Sequence, residues 1–335
     1  MSEALVTVYC LVYNHAKYLR KCLDSLTGQE TNFPYKVIVH DDCSSDGSQD
    51  IIEEYAEKYP DIIVKVLQTE NQFAKGGIVR RFVEPLVEGK YVAICEGDDY
   101  WSSPGKLQKQ FDAMEANPQC GLCLHKVKEV NENEEETGIE YPLQTYPTGL
   151  LSKKDFFDSF NPRMFQTTCY FMRADLWHEY IKHPLDYAKV CDIGDVPYML
   201  YFGSHALIYQ INECMSCYRR GAASSWSSAH LANLDKIYKH QSSMVKTYRA
   251  FDKATKGEYH AFCMERISKH YYAVCALAEN YKPFVKKKEC MQALSFMKRA
   301  SVYFGLFFPK TVKKMYLRHI TEEKKREKTR WYSRK

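Results

Sequence analysis

The chain has 335 residues, 45% apolar and 27% charged, which are the proportions of a globular protein with one large domain or one domain plus an addition. Its formal net charge of +5 is confined to the end: residues 310–335 carry 11 Lys or Arg against 3 Glu, leaving about −3 for the other 309. That placement does not imply a basic catalytic surface, and no nucleic-acid partner is expected; nor does any apolar run approach the ~20 residues that span a bilayer.

Strand and helix signals alternate from the start. Leu5 to Val12 is an apolar, β-branched run that stops at Tyr13-Asn14. Lys17 to Gly28 reads as a helix with Leu19, Cys22, Leu23 and Leu26 on one face. Tyr35 to Val39 is a second strand, ending at His40-Asp41-Asp42, and Ser44 to Gly47 is a turn and N-cap region. A helix over Ser48 to Lys58, a strand over Ile62 to Gln68, a helix over Gly77 to Leu86 and a strand over Lys90 to Cys95 follow. This rhythm predicts a parallel, doubly wound sheet. Ligands of such sheets bind beyond the carboxyl ends of the strands. Tyr13-Asn14, Asp41-Asp42 and Asp98-Asp99 each follow a strand end, so three polar clusters are expected on one rim.

Beyond this half, Glu129 to Glu140 reads as an acidic solvated loop or hairpin tip, and Tyr141 to Ser228 as mixed α and β. From His230 to about Phe304 the pattern is helical, clearest over Tyr259 to Glu279 and Lys286 to Val302. No internal repeat is found. The expected organisation is 1–230 as the main domain (1–125 one half, 126–230 the other), 231–310 as a helical extension and 311–335 as a basic tail.

The 13 cysteines are an odd number scattered through apolar runs, and Met1 to Glu3 leads straight into a strand-like run. A reduced, cytosolic setting with thiols as small core hydrophobes is the expectation. Two CxxC pairs, Cys120/Cys123 and Cys214/Cys217, lie about 90 residues apart in strand-like stretches. Core packing suits them better than a four-ligand zinc site. The 26 tyrosines suit polyhydroxylated ligands, since each ring offers an apolar face and a hydroxyl.

Glu96-Gly97-Asp98-Asp99-Tyr100-Trp101 carries the chemistry. Carboxylates at a strand end are hard oxygen ligands suited to Mg²⁺ or Mn²⁺. An ion there would bridge the two phosphates of a nucleotide diphosphate and would neutralise charge on the leaving group. As a bare pair, Asp98-Asp99 reads first as a solvated acidic turn; its place after a buried strand, the two aromatics that follow and its company on the rim reverse that in favour of the metal. Asp42 is suited to accept the imide N–H of a uracil ring.

Together these motifs resemble a family 2 glycosyltransferase with the GT-A fold, of the bacterial surface-polysaccharide type. The matching runs are Val6 to Asn14, VIVHDDCSSDGS at 37–48, EGKYVAICEGDDYW at 88–101 and KLQKQ at 106–110. The resemblance covers roughly residues 4–230. It implies a Rossmann-like, mostly parallel central sheet with flanking helices, followed by a C-terminal helical extension. It also implies Leu11 and Tyr13 around the nucleobase, Asp42 on the base, Lys75 near the diphosphate, Asp98 on ribose or sugar, Asp99 on Mn²⁺ or Mg²⁺, and Trp101 near the acceptor.

Family members invert the anomeric centre in one displacement, which needs a base for the acceptor hydroxyl. Cys191-Asp192-Ile193-Gly194-Asp195-Val196-Pro197 resembles the family's GDxP segment. It makes Asp195 the candidate base and Asp192 the fallback, on the acceptor side. The plainer reading of Asp195 is an N-cap for a helix beginning near Pro197. Tyr218 to Ser227 resembles a loop in which Arg219 pairs with the diphosphate, but Gly221 stands where relatives often carry His. His230 is the one substitute nearby, and a lone His is more often structural.

The donor the resemblance implies is a UDP-sugar, and the acceptor a glycan or lipid-linked saccharide. Rival readings are a non-catalytic nucleotide-sugar or glycan-binding protein of the same fold, and a nucleotidyltransferase. The second lacks its Gly-rich phosphate loop, and a dehydrogenase lacks GxGxxG. Tyr303 to Phe308 with Lys310, Lys313, Lys314 and Arg318 is amphipathic and basic. It reads as a solvated end, a partner contact, or an anchor on an anionic membrane surface, there the inner face of the cell membrane. A homodimer through the C-terminal helices is a further expectation.

Overall fold

A computed structural model describes residues 4–160, 165–221 and 233–332. The loop residues Ala222 to Ser227 and His230 lie outside the described residues. The chain divides into two compact units, one of Met1–Pro184 and Tyr201–Ser225, the other of Leu185–Leu200 and Trp226–Lys335.

The first unit opens with the expected alternation: β1 (Val6–Val12), α1 (Ala16–Thr27), β2 (Tyr35–Asp41), α2 (Ser48–Lys58), β3 (Ile63–Leu67) and β4 (Tyr91–Ile94). These four strands lie side by side in the order β3-β2-β1-β4, all parallel. Most of β1 and all of β4 are buried, the signature of strands covered on both faces. Val6, Val8, Cys10 and Val12 of β1 and Leu19, Cys22, Leu23 and Leu26 of α1 meet in one core.

The sheet continues through β5 (Tyr100–Trp101), β6 (Cys120–Val130), β7 (Glu136–Tyr141), β8 (Gly149–Leu151), β9 (Phe171–Arg173) and β10 (Leu207–Arg219). Its full order is β3-β2-β1-β4-β9-β6-β10-β5, with β7 on β6 and β8 on β10. In this half the pairing is mixed: β10 runs parallel to β6, while β9 is antiparallel to both β4 and β6. Helices α3 (Lys106–Ala116), α4 (Lys153–Ser159) and α5 (Ala174–Lys182) accompany it. The acidic stretch after Glu129 is the tip of the β6–β7 hairpin, where the Asn131 Oδ1 accepts from the amides of Asn133 and Glu135.

Two expected helices differ. Over Gly77 to Leu86 there is a π-type turn at Val79–Val83 and a 3-10 turn at Glu84–Leu86. Gly76 and Gly77 both take positive φ, and Pro85 lacks an amide N–H, so no regular helix runs through. The CxxC pairs sit on neighbouring strands, but the register sets Cys214 opposite Lys126 and Cys217 opposite Lys128. Among the described residues no three His, Cys, Asp or Glu gather to hold a metal.

The second unit is helical: α6 (Asp186–Val190), the start of α7 (Asp195–His205), α8 (Leu234–Ala254), α9 (His260–Leu277), α10 (Lys282–Val285), α11 (Lys288–Gln292), α12 (Phe296–Phe307) and α13 (Pro309–Tyr332). The helix expected over Lys286 to Val302 is thus two, α11 and α12. Arg299 occupies the break: its Nε donates to the Leu294 carbonyl (2.8 Å) and its guanidinium to the Gln292 carbonyl (2.7 Å). Those carbonyls therefore need no continuing helix. None of the described helices is long and apolar enough to cross a membrane.

Candidate active site

The rim is built by backbone contacts between three adjacent parallel strands. The Asp42 amide donates to the Val12 carbonyl (3.0 Å), and the Gly97 amide donates to the Leu11 carbonyl (3.0 Å). The ends of β2, β1 and β4 are therefore tied together, and Leu11, Tyr13, Asp42, Asp98 and Asp99 share one edge. Gly97 is required for this approach. A Cβ there would lie 2.8 Å from the His15 Nδ1 and 3.0 Å from the Val12 Cγ2.

The turn at Ser44 to Gly47 does more than start α2. Helix α1 has no side-chain cap of its own. Its leading amides are taken from across the rim: Asn14 by the Ser44 Oγ, His15 by the Ser48 Oγ, and Ala16 by the Asp46 carboxylate. Asp46 also accepts from the Ser48 amide at the start of α2. Asn14 holds φ 56°, a left-handed conformation that Asn tolerates, and its Oδ1 accepts from the Ser45 amide. These bonds fix the segment that carries Tyr13, whose ring is exposed.

The two aspartates ending β2 do different work. Asp41 is buried and accepts from the Ser44 amide and the Gln49 Nε2, so it is a scaffold group. Asp42 accepts from the amides of Gln72 (2.7 Å) and Phe73 (3.1 Å) and so docks the loop at 70–75 onto the rim. Each of its oxygens keeps a second lone pair. Lys75 is carried on that loop, where it is exposed and ion-paired with Glu70.

At the end of β4 the chain turns sharply, the Asp99 amide donating to the Glu96 carbonyl (2.9 Å). Asp99 is 2% exposed and Asp98 8%. Burial first, and the neighbouring Asp98 charge second, push the Asp99 carboxyl well above the usual carboxylate range. Such a group favours a nearby cation.

Arg219 holds this turn from β10. Its amide donates to the Asp99 Oδ1 (2.8 Å) and its Nε to the Asp98 carbonyl (2.8 Å). The guanidinium also donates to the Asn131 carbonyl and pairs with Glu134, and it lies 4.2 Å from the Tyr18 ring centroid. Arg219 is 1% exposed. The expectation that it meets a diphosphate is therefore corrected: it is a buried brace for the acidic turn. Arg219→Ala should cost about 2–4 kcal/mol, because it leaves the Asp98 and Asn131 carbonyls without their side-chain donor and empties the space against Tyr18, while the backbone amide keeps its bond to the Asp99 Oδ1. Urea denaturation checks this as a fall in midpoint with unchanged slope; a loss below about 1 kcal/mol would refute the bracing role.

Trp101 is corrected likewise. Its ring is 4% exposed, and its Nε1 donates to the Thr168 carbonyl (3.2 Å). It packs in the core and does not line an open acceptor face. Above it lies Lys106, fully buried, with its Nζ 3.8 Å from the ring centroid and 2.8 Å from the Gln110 Oε1. Burial pushes this ammonium down to about 7. Lys106 and Gln110 belong to the KLQKQ run, whose i, i+4 spacing is the one signal for this buried pair.

Asp192 and Asp195 belong to the helical unit. The Asp192 carboxylate meets the His240 Nδ1 (3.0 Å), and its amide donates to the Ser243 Oγ (2.9 Å). Burial, the largest single cause, raises the Asp192 carboxyl, but the His240 contact and the hydrogen bonds from Ser243 and the backbone together outweigh it, and the net direction is down. Helix α7 begins at Asp195 itself, two residues before the expected start. Asp195 is half-buried, and desolvation pushes its carboxyl up to about 6.

Residues 7–181 match the family model "Glycosyl transferase family 2". An uncharacterized protein of Mycobacterium tuberculosis is 31% identical over 231 residues, which cover 67% of this chain and 61% of the relative. The chain thus spans less than two thirds of that relative's length. A putative teichuronic acid biosynthesis glycosyltransferase of Bacillus subtilis, TuaG, is 34% identical over 33% of this chain and 42% of its own. The crystal structure of S. aureus TarS residues 1–349 in complex with UDP-GlcNAc superposes with a TM-score of 0.64 at 16% identity, over 94% of this chain and 92% of that one. At that identity the likeness shows a shared fold.

Proposed function

The chain belongs to glycosyl transferase family 2, and on that premise we propose that it transfers a sugar from a UDP-sugar to a hydroxyl of a glycan or lipid-linked saccharide, with inversion. The observation that carries this reading is the shared rim of β1, β2 and β4, with Tyr13, Asp42, Asp98 and Asp99 along it. The UDP-GlcNAc complex of the TarS structure, which has the same fold, supports the choice of donor.

In this reading the exposed Tyr13 ring stacks on the base beside Leu11, and Asp42 accepts the base N–H with its spare lone pairs. Asp98 contacts the ribose or sugar. Lys75 leaves Glu70 for the diphosphate, an exposed pair that costs little to break. Asp99 holds Mn²⁺ or Mg²⁺. Its raised carboxyl, crowded by burial and by Asp98, is one that a cation would stabilise. A divalent cation held by Asp99 would supply positive charge to stabilise the departing diphosphate.

Asp195 takes the acceptor hydroxyl proton as that oxygen bonds to the anomeric carbon. The bond from that carbon to the phosphate oxygen breaks, and its electrons leave with UDP. Asp192 contacts the acceptor. Residues 1–230 supply every residue of this reading, with 231–310 and 311–335 as appended segments, while Leu185–Leu200, which carry Asp192 and Asp195, belong to the helical unit.

A nucleotide-sugar panel tests the reading by thermal shift and nucleotide release, with and without Mn²⁺. A UDP-sugar should raise Tm and be turned over only with the metal. At a ligand concentration of about 100 Kd the added stability is ~2.7 kcal/mol. No stabilisation or release with any UDP-sugar plus metal sinks the donor assignment.

A further inference from the structure

Within the helical unit, α12 is apolar on the side that faces water. Phe296, Ala300, Tyr303 and Phe307, spaced i, i+4, i+7 and i+11, form one exposed stripe, flanked by Met297 and Phe304. Phe296 is 84% exposed, Met297 81% and Phe307 78%. Of the 16 large apolar side chains exposed among the described residues, seven lie between Phe296 and Met315. Scattered exposed apolar residues need no explanation, but a concentrated patch marks an interaction surface.

The stripe cannot turn inward. Val302 and Gly305 form the buried face of the same helix. A Cβ on Gly305 would lie 2.5 Å from the Tyr281 ring, so the backbone is pressed against that side chain and the opposite face is fixed outward. Charge identifies what the stripe meets. From Phe296 to Glu322 there are six Lys or Arg and one acidic residue. Lys310, Lys314 and Arg318, at i, i+4 and i+8 on α13, are exposed, and this basic row begins three residues after the apolar stripe ends. A second copy of the chain, docked through the same face by a two-fold axis, would set these cations against their own kind. An anionic bilayer surface complements both halves: its interface takes the rings, and its headgroups take the lysines.

We propose that α12 and the first half of α13 form a peripheral docking surface for anionic lipid, with Phe296, Tyr303 and Phe307 entering the interface and Lys310, Lys314 and Arg318 lying over the headgroups. This inference stands apart from the donor and acceptor reading.

Vesicle co-flotation of the full chain tests it, using phosphatidylcholine alone and phosphatidylcholine with phosphatidylglycerol, while light scattering follows solution mass. The protein should float with the anionic vesicles only, and salt should weaken the binding. Lys310→Ala with Lys314→Ala should weaken it about 30-fold, from ~1 kcal/mol per basic residue. Phe296→Ser with Phe307→Ser should weaken it by at least ~10-fold with Tm unchanged, since both rings are exposed. The proposal is overturned by equal flotation with neutral vesicles or by no flotation. It is overturned equally by a dimer that the Phe variants dissociate without changing lipid binding.

Discussion

Asp195→Asn is expected to lower kcat/KM by about 10³-fold, the middle of the range for losing a general base. The wild-type pH profile should show an acid limb near 6, where Asp195 titrates because desolvation raises it. The sign follows directly: above about 6 the carboxylate is free to take the acceptor proton, and as pH falls through that value the base is lost. The same shift bears on folding. A carboxyl raised in the folded state binds its proton more tightly there than in the unfolded chain, so its ionisation opposes folding at neutral pH. The amide variant should therefore be at least as stable as the wild type while losing turnover. Asp192→Asn separates the two candidates, because the His240 contact holds that carboxyl below its ordinary range and it contributes no limb near 6. Full turnover in Asp195→Asn would remove Asp195 from the mechanism and turn attention to Asp192.

The second large effect belongs to Asp99→Asn, where a loss of about 10³-fold in kcat/KM is expected from removing the metal-holding charge. The substitution is nearly isosteric, and its Oδ1 can still accept from the Arg219 amide, as Asp99 does at 2.8 Å. The turn should therefore stay folded. Burial and the adjacent Asp98 oppose the Asp99 charge in the folded chain, so at neutral pH the variant should melt at the same or a higher temperature. The metal-dependent part of the donor's thermal shift should vanish, while any metal-independent binding through Tyr13 and Asp42 persists. A merely structural aspartate predicts the reverse, lower stability with the metal response intact. That pattern, or a wild-type metal response in the variant, would exclude Asp99 as the ligand.

Much of this site could be read from the chain. Local periodicity set α1 and its buried face of Leu19, Cys22, Leu23 and Leu26, since a helix repeats every few residues whatever surrounds it. The alternation of strands and helices put three polar strand ends on one rim, because consecutive parallel strands must share their carboxyl edge. The motif runs carried the family.

What the sequence could not disclose depends on residues far apart in the chain. Arg219 and Trp101 look like ligand-facing groups in their motifs, and both are consumed by the fold. Arg219 braces a turn about 120 residues away, and Trp101 packs against Lys106 and donates to Thr168. Side-chain type tells what a group can bind; burial and saturated hydrogen bonds decide whether it is free to do so. The capping of α1 by Ser44, Asp46 and Ser48 was hidden for the same reason. At the far end, composition marked an amphipathic basic segment, but not which face of α12 meets water. The close packing of Gly305 on Tyr281 fixes that, because only the folded chain brings those two residues together.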